Sequence, residues 1–241
     1  MPEYNMKEFV DNCKKKNIAL SEQQQQQFIR YYEILVEWNS FMNLTGITDF
    51  DEVLKKHFED SLELVRVIPM DQQLTVMDIG TGAGFPGVPL KIAFPHLKVV
   101  LLDSLGKRVK FLNHVIEELG LQDIKAIHGR AEDFAKDAEY REQFDVVVSR
   151  AVANLASLSE YCIPYTKIKG KFISYKSGKI EEELELAKKA ISVLGGKVEN
   201  VEKFLLEDSD MERSLVVIKK EKSTSKKYPR KAGLPSREPI Q

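Results

Sequence analysis

The stretch Val76–Gly87 constrains the fold of this chain more than any other part. It reads VMDIGTGAGFPG, an apolar run that meets an acid and then enters a loop with a glycine at every second position, Gly80–Gly84. A second apolar run, Val99–Leu102, ends directly before Asp103. Strand, glycine loop and a second strand ending in an acid are typical of a nucleoside pocket at the carboxyl edge of a parallel sheet.

The spacing of the glycines discriminates between nucleoside ligands. The loop has the pattern G-x-G-x-G, whereas the dinucleotide fingerprint is G-x-G-x-x-G followed at once by a helix that receives a pyrophosphate. Here Pro86 and Pro89 delay the helix. Gly80 and Gly82 still allow the backbone to approach a ligand closely. A cofactor without phosphates, such as S-adenosylmethionine, therefore suits the loop better, with Asp103 accepting hydrogen bonds from the ribose hydroxyls.

Strands and helices alternate from Leu74 onward, which predicts a parallel sheet covered on both faces. Strands are predicted at Thr75–Ile79, Lys98–Leu102, Lys125–His128, Asp145–Ser149, Lys171–Tyr175, Lys197–Phe204 and Ser214–Lys219. Helices are predicted at Val88–Ala93, Lys107–Leu119, Ala131–Phe134, Leu155–Tyr161 and Ile180–Leu194. No helix separates the last two strands, so they should form a hairpin with one reversed strand. We expect an α/β fold, the Rossmann-like seven-stranded sheet of S-adenosylmethionine-dependent methyltransferases.

The region before the sheet is predicted to be a helical extension. Ser21 to Gln24 resembles a capping box, and apolar residues then recur at helical spacing until the break at Asn43–Gly46. Further helical turns are expected at Asp49–Lys56 and Phe58–Val67. We therefore expect an N-terminal helical region over 1–67, a methyltransferase domain over 68–219 and a basic tail over 220–241.

Composition limits the setting in which the chain works. The N-terminus, Met1–Asn5, is polar, and no apolar run is long enough to span a bilayer, so we expect neither a secretory signal nor a membrane contact. Cys13 and Cys162 are the only cysteines, as expected for a reduced, cytoplasmic protein, and the four histidines show no metal spacing. We expect no bound metal.

Charge is distributed unevenly along the chain. The formal net charge is −1, but basic residues outnumber acidic ones in the segment Lys219–Gln241. A basic tail on an acidic body indicates a polyanionic partner such as RNA. A solvated, disordered terminus is the alternative that charge alone leaves open.

Six motifs occur in order along the chain. They are Leu35–Asn39 with Met42–Thr45, His57–Ser61, Asp78–Gly87, Asp103–Arg108, Gly129–Glu132 and Ser149–Val152. Together they resemble the RsmG family, formerly glucose-inhibited division protein B, of bacterial 16S rRNA guanine-N7 methyltransferases. The resemblance extends from about Trp38 to Tyr228–Lys231 in the tail. The glycine loop is generic by itself, whereas the N-L-T, H-F-x-D-S and S-R-A-V elements are specific.

The resemblance implies a cofactor, S-adenosylmethionine, and a target, one guanine in the decoding-region loop of the small-subunit rRNA. By analogy, the cofactor site is lined by Gly80, Phe85, Ala131, Glu132 and Arg150. With Gly82 and Asp103 from the arguments above, these residues form the predicted cofactor site. The predicted partner is 16S rRNA, free or within the 30S subunit or its precursor, and the protein is expected to act as a monomer.

Methylation of guanine N7 requires no removal of a proton by the protein, because N7 already carries a lone pair. We therefore expect no general base and no covalent nucleophile, only orientation of the reactants. Cys162 lies late in a predicted helix and is expected to be a core residue. The fourth strand is followed by Ser149 and Arg150 rather than by an Asn/Asp-Pro-Pro motif, which argues against methylation of an exocyclic amine.

Basic residues at strand ends, at a helix start and in the tail are candidates for phosphate contacts. The predicted RNA-binding residues are Lys107, Arg130, Lys176, Arg230 and Lys231. Three other functions remain open on the residues alone: a small-molecule methyltransferase, a non-catalytic RNA-binding module and an NAD-dependent oxidoreductase. The glycine spacing opposes the last of these, and the basic tail favours RNA over a small molecule.

Overall fold

The N-terminal part of the chain is helical. In the computed structural model, which describes residues 4–240, α1 spans Lys7–Lys15 and α2 spans Glu22–Met42. The predicted capping box is present: Ser21 Oγ accepts from Gln24 N at 3.2 Å, and Gln24 Oε1 accepts from Ser21 N at 2.8 Å. Helix α2 ends at Asn43, whose φ of 50° is a left-handed conformation that asparagine tolerates.

Helical turns of changing pitch connect α2 to the sheet. They are α3 at Phe50–Val53, a π-helical turn at Leu54–Glu59, α4 at Asp60–Leu62 and a 3₁₀ turn at Glu63–Arg66. The sequence predicts helix over most of these residues but not the π turn, because one wider turn leaves no periodicity to detect. Such turns are frequent at functional sites, and this one contains His57.

Seven strands form one sheet with the order β3-β2-β1-β4-β5-β7-β6. The strands are β1 Thr75–Ile79, β2 Lys98–Asp103, β3 Ile124–His128, β4 Phe144–Arg150, β5 Thr166–Ser177, β6 Gly196–Leu205 and β7 Glu212–Lys220. Strand β7 is antiparallel to both neighbours, and the pairings among β1 to β5 are parallel. The predicted seven-stranded sheet with one reversed strand is confirmed.

Strand β5 is longer than its predicted span of Lys171–Tyr175. Its first residues alternate between lysine and other types, and Lys169 has a φ of 72°. The pairing register with β4 shifts between Phe144 and Val146. A polar start and a local irregularity conceal the beginning of this strand from an apolar-run search.

Helices cover both faces of the sheet. They are α5 Gly87–Ala93, α6 Gly106–Glu118, α7 Ala131–Phe134, α8 Leu155–Cys162 and α9 Glu181–Val193, with α10 at Leu234–Arg237 in the tail. On one face the aromatic side chains of Phe28, Tyr31 and Phe58 join the strand residues in a single core. The other face packs against α8 and α9. Because both faces are buried, the inner strands are nearly continuous apolar runs.

The basic tail is folded onto the domain, which excludes the disordered alternative for its described part. Thr224 and Pro229 are buried, and Arg141 donates to the carbonyls of Thr224 and Tyr228 at 2.7 and 3.0 Å. Residues 1–3 and 241 lie outside the described part. The polar start predicted at Met1–Asn5 and the predicted regions 1–67 and 220–241 can therefore be compared with the structure only within residues 4–240. Across residues 4–240, every helix is too short or too polar to cross a bilayer.

Candidate functional site

The glycine loop follows β1 at the carboxyl edge of the sheet, where ligands bind in open α/β folds. Gly80, Gly82 and Gly84 have φ values of 69°, 62° and 98°, so all three adopt left-handed conformations. A Cβ on Gly80 would lie 2.6 Å from a methyl group of Val152. Glycine at position 80 therefore allows the loop after β4 to approach the loop after β1.

Asp78 stabilises this loop from below. It is fully buried, and its Oδ2 accepts from Thr81 Oγ1 at 2.7 Å and from Gly87 N at 2.9 Å. Burial raises the pKa of the Asp78 carboxyl to about 6, against the opposing effect of these hydrogen bonds. Because a carboxylate occupies the first N–H of α5, this helix start does not offer the pyrophosphate site that a dinucleotide needs.

Asp103 joins the glycine loop to the end of β2. Its Oδ2 accepts from Gly82 N at 2.9 Å and its Oδ1 from Leu105 N at 2.9 Å. The Arg108 guanidinium lies 3.3 Å from Oδ2. Arg108 thus has a partner inside the protein, although a cation at a helix start is unfavourable by itself. Each carboxylate oxygen has two lone pairs, so Asp103 can still accept from a ligand hydroxyl.

A cavity of about 280 Å³ opens beside these groups. Its lining residues are Ile79, Gly80, Leu102, Ser104, Gly129, Arg130, Ala131, Glu132, Val152, Tyr161, Gly233 and Ser236. Three predicted cofactor residues, Gly80, Ala131 and Glu132, are among them, and Asp103 lies between two lining residues. The cavity volume lies just below the usual range of small-molecule sites, ~300–1,000 Å³.

Phe85 and Arg150 line no part of this cavity. The Phe85 ring stacks on His57 with centroids 4.5 Å apart, and the Arg150 guanidinium lies 5.0 Å from the Phe85 centroid. Arg150 also donates to Asp60 Oδ2 at 2.7 Å. These two predicted cofactor residues therefore form a separate cluster, in which Arg150 is held by a cation–π contact and an ion pair.

The motifs that carry the family resemblance meet in this cluster. His57 Nε2 lies 2.7 Å from Thr45 Oγ1, which joins the N-L-T element to the H-F-x-D-S element. Arg150 brings in the S-R-A-V element and Phe85 brings in the glycine loop. Burial lowers the pKa of His57 to about 4, and the Arg150 charge adds to this effect. His57 is therefore neutral near pH 7.

A groove of about 350 Å³ runs along the outer side of this cluster. Its lining residues are Lys56, His57, Asp60, Arg150, Ala151, Tyr175, Lys176, Ser177 and Arg213. Asp60 is buried and also accepts from Arg213 Nε at 3.1 Å. Four basic side chains against one carboxylate make this groove suitable for an electron-rich or anionic ligand.

The loop after β4 separates the cavity from the groove. Arg150 and Ala151 line the groove, whereas Val152 lines the cavity. Ala151 has a φ of 56°, a left-handed conformation that costs free energy for a residue with a Cβ. Backbone strain of this kind concentrates at functional sites. Here the strained residue Ala151 lies where the chain turns, so that Arg150 faces the groove and Val152 faces the cavity.

The five predicted RNA-binding residues have different surroundings. Arg130 is exposed at the cavity rim, and Lys107 is exposed with its Nζ 3.3 Å from Met42 O. Lys176 lines the groove but donates to Glu183 Oε1 at 2.6 Å. Lys231 is exposed in the tail. Arg230 has its guanidinium bound to Glu160 at 2.7 Å, so it lacks the open geometry expected of a phosphate ligand.

Several residues around the two compartments were missed from the sequence. Tyr161, Gly233 and Ser236 line the cavity, and Asp60 and Arg213 line the groove. Asp60 lies within the H-F-x-D-S motif, which was a usable signal. The others lie outside the six motifs and carry no pattern. Within residues 4–240, no three His, Cys, Asp or Glu side chains are grouped to hold a metal ion.

Comparisons with known proteins identify the family. The family model described as GidB, rRNA small subunit methyltransferase G, matches residues 24–216. The ribosomal RNA small subunit methyltransferase G of Lachnoclostridium phytofermentans is 54% identical over 232 residues, covering 96% of both chains. The protein of the same name from Brevibacillus brevis is 50% identical over 233 residues, covering 97% of this chain and 98% of its own.

Solved structures agree on the fold. A structure described as a SAM-dependent methyltransferase from Aquifex aeolicus superimposes with a TM-score of 0.52 at 18% identity, over 69% of this chain and 92% of its own. At that identity the likeness concerns the fold alone, and it confirms the Rossmann-like methyltransferase sheet. The chain therefore belongs to the rRNA small subunit methyltransferase G family.

Proposed function

We propose that this protein transfers a methyl group from S-adenosylmethionine to N7 of one guanine in the decoding-region loop of 16S rRNA. The observation that carries the proposal is the pair of compartments separated by the end of β4 and the loop after it, Arg150–Val152. One compartment has the size and polar groups of a nucleoside site, and the other has basic walls. A donor and an acceptor bound on the two sides would meet at this loop.

The cavity residues fit S-adenosylmethionine. Gly80 brings its backbone to the cavity wall, and Glu132 places a carboxylate there that can accept from ribose hydroxyls or an amino group. Asp103, between the lining residues Leu102 and Ser104, supplies a second carboxylate next to the cavity. Cavity walls from Ile79 and Val152 supply apolar contacts for a base. When bound, the cofactor supplies an electrophilic methyl group on a positively charged sulfur. Of the predicted cofactor residues, we assign Gly80, Gly82, Asp103, Ala131 and Glu132 to direct contacts.

We assign Phe85 and Arg150 to the junction between the compartments. Arg150 is held from three sides, by Phe85, by Asp60 and by the Lys56 carbonyl at 3.3 Å. A guanidinium fixed in this way can present its edge to the O6 acceptor of guanine with little loss of side-chain entropy. Such positioning of an acceptor base against a methyl donor can supply about 7–11 kcal/mol of a barrier.

The titratable side chains of the groove are held in internal contacts, as transfer to an N7 that needs no proton removal would allow: Asp60 is ion-paired with both Arg150 and Arg213. His57 is the histidine in the groove, and burial holds its pKa at about 4. Its two ring nitrogens contact Thr45 Oγ1 and the Lys56 carbonyl. Cys162 is fully buried, and burial raises the pKa of its thiol well above the ordinary value, so it is no nucleophile. We propose orientation as the source of catalysis.

We propose further that Lys107, Arg130, Lys176 and Lys231 contact RNA phosphates around the carboxyl edge of the sheet. Lys176 would exchange its Glu183 partner for a phosphate. The substrate would be 16S rRNA alone, the 30S subunit or its precursor, and a monomer acting in the cytoplasm would suffice, because one chain supplies both compartments. The proposed regions remain 1–67, 68–219 and 220–241.

Transfer of a labelled methyl group tests the proposal. The purified protein is incubated with labelled S-adenosylmethionine and either naked 16S rRNA or 30S subunits from a strain that lacks the enzyme, and the modified base is mapped. We expect a single N7-methylated guanine in the decoding-region loop. Label on another base, on another atom of guanine or only on small molecules would refute the assignment.

A further inference from the structure

The tail of the chain forms one wall of the cavity proposed for the cofactor. Gly233 and Ser236 line the cavity together with Gly80 of the glycine loop. They belong to the segment Tyr228–Glu238, which we call the strap; it includes α10. This segment was expected to serve RNA, and the basic composition gave no reason to place it beside a nucleoside.

One ion pair anchors the strap. The Glu160 carboxylate is 1% exposed and accepts from Arg230 at four points: backbone N at 2.7 Å, Nη2 at 2.7 Å, and Nε at 3.0 and 3.1 Å from its two oxygens. The hydrogen bonds to Glu160 raise the pKa of the Arg230 guanidinium. Nη2 also donates to the Glu238 carbonyl at 2.8 Å, so one arginine secures both ends of the strap.

Between these ends the strap contacts a residue of the cavity directly. Gly233 N donates to Glu132 Oε1 at 2.8 Å. Gly233 has a φ of 81°, a conformation that glycine adopts freely and that turns its N–H towards Glu132. Pro235 is buried, and its carbonyl accepts from Ser157 Oγ at 2.8 Å. Glu132 therefore has one oxygen fixed by the strap, and its other oxygen remains available to a ligand donor.

We propose that the strap is a working part of the cofactor site and that Arg230 is a positioning residue for S-adenosylmethionine, not an RNA ligand. Arg230 holds the strap on Glu160, and Gly233 then fixes the Glu132 carboxylate at the cavity wall. This inference rests on the proposed cofactor site. An arginine whose donors are already bound to a buried carboxylate is poorly placed to release counterions from RNA.

Two variants distinguish a role of the strap in cofactor binding from a role in the stability of the fold. Arg230→Ala removes the anchor but leaves the buried Glu160 without its charge partner, which can destabilise the fold. Gly233→Ala leaves the anchor intact and disfavours the left-handed φ; the added Cβ meets no atom within 4 Å, so no clash is introduced. Lys226→Ala is the matched control, because Lys226 is an exposed tail lysine. Glu132→Ala is the reference for the cofactor site itself.

Calorimetry with S-adenosylmethionine on the full chain is the measurement, with a thermal melt in the absence of ligand to verify folding. We expect both strap variants to raise Kd and KM for S-adenosylmethionine by about tenfold, the loss of roughly one good hydrogen bond. Their kcat at saturating cofactor should remain within about threefold of the parent, since the interaction is not specific to the transition state. Arg230→Lys should recover part of the affinity, and Lys226→Ala should leave it unchanged.

The outcomes distinguish the strap from the cofactor site. Weakened binding in Glu132→Ala with unchanged binding in both folded strap variants would overturn the strap inference alone. Unchanged binding in Glu132→Ala would overturn the cofactor site and the strap together. A reduced salt slope of RNA binding in Arg230→Ala, with S-adenosylmethionine affinity intact, would return Arg230 to the RNA surface.

Discussion

His57 is a single side chain whose burial makes the stability of the protein depend on pH. Its folded pKa of about 4 lies below the unfolded value of about 6.5. As pH falls, His57 takes up a proton in the unfolded chain before it does so in the folded protein. The stability that neutral His57 provides is therefore complete above pH 6.5 and is lost between about pH 6.5 and pH 4. We expect the wild type to lose about 2 kcal/mol of unfolding free energy relative to His57→Gln between pH 7 and pH 5.

The comparison with a variant is necessary because Asp78 acts in the opposite sense. Burial raises its folded pKa to about 6, so its ionisation disfavours the folded state as pH rises from about 4 to 6. Urea unfolding at several pH values measures both effects, and Asp78→Asn removes the second. A wild type that tracks His57→Gln at every pH would show that His57 titrates normally in the folded protein.

Asp103 links the glycine loop to the proposed ribose contact. Asp103→Ala should weaken S-adenosylmethionine binding by about 1.5–3 kcal/mol, or roughly 10- to 150-fold, the range for lost hydrogen bonds to a charged group. The variant also removes the acceptor for Gly82 N at 2.9 Å. Calorimetry measures the affinity, and Asp103→Asn, which keeps one acceptor oxygen, should lose less. Equal affinity in the alanine variant would place the ribose elsewhere.

For single residues, the sequence predicts a role where that role follows from the neighbouring residues in the chain. The glycine loop and Asp103 come from a strand–loop–strand pattern confined to one short segment. The partners of Arg150 could not be predicted, because Asp60 and Lys56 are about ninety positions away. No local rule states which of many carboxylates meets a given arginine. The same limit applies to Arg230, whose partner Glu160 is 70 positions away.

Helix α2 allows a test at the level of one element. Ser21→Ala removes the acceptor for Gln24 N and should cost about 0.5–2 kcal/mol of unfolding free energy. Gln24→Ala should cost more, because the Gln24 amide also donates to the carbonyls of Ile92 and Ala93 at 2.7 and 3.1 Å. These bonds cap the C-terminal end of α5. Chemical unfolding gives both values, and a larger loss in Ser21→Ala would contradict this ranking.

Elements with a strong apolar period were predicted almost to their ends. Strand β1 matches its prediction residue for residue, and α9 differs by one residue at each end. The start of β5, the π turn at Leu54–Glu59 and the folded tail were missed. Each of these is decided by tertiary contacts, not by local propensity. A run of lysines and prolines reads as solvent-exposed whether or not it packs on a domain.

The whole molecule joins two distant parts of the chain at one edge of the sheet. The N-terminal helices supply Lys56, His57 and Asp60 to the groove, and the tail supplies Gly233 and Ser236 to the cavity. The strands between them contribute the loops. This arrangement explains why the family motifs include residues of the N-terminal helices and not only the glycine loop. The cavity and groove are complete only when both ends of the chain are folded onto the sheet.

The net charge of the whole molecule does not describe the charge at the carboxyl edge of the sheet. The chain has a net charge of −1, yet its carboxyl edge carries the basic groove and the exposed Lys107 and Arg130. The proposed binding of RNA through this edge would release counterions for each phosphate neutralised, with a slope of about −0.7 per contact on single strands. The affinity for rRNA should therefore fall steeply with salt despite the neutral overall charge.

The double variant Lys107→Ala/Arg130→Ala tests this edge. Its log Kd for rRNA against log salt should be flatter than the wild-type line by about 1.4, two phosphate contacts at roughly 0.7 each. The matched control is Lys98→Ala/Lys197→Ala, which removes two exposed lysines near the amino ends of β2 and β6, at the opposite edge of the sheet. The control should weaken binding slightly and leave the slope unchanged, because those lysines face away from the cavity and groove. Equal slopes for the two double variants would mean that the net field of the protein, and not this edge, attracts the RNA.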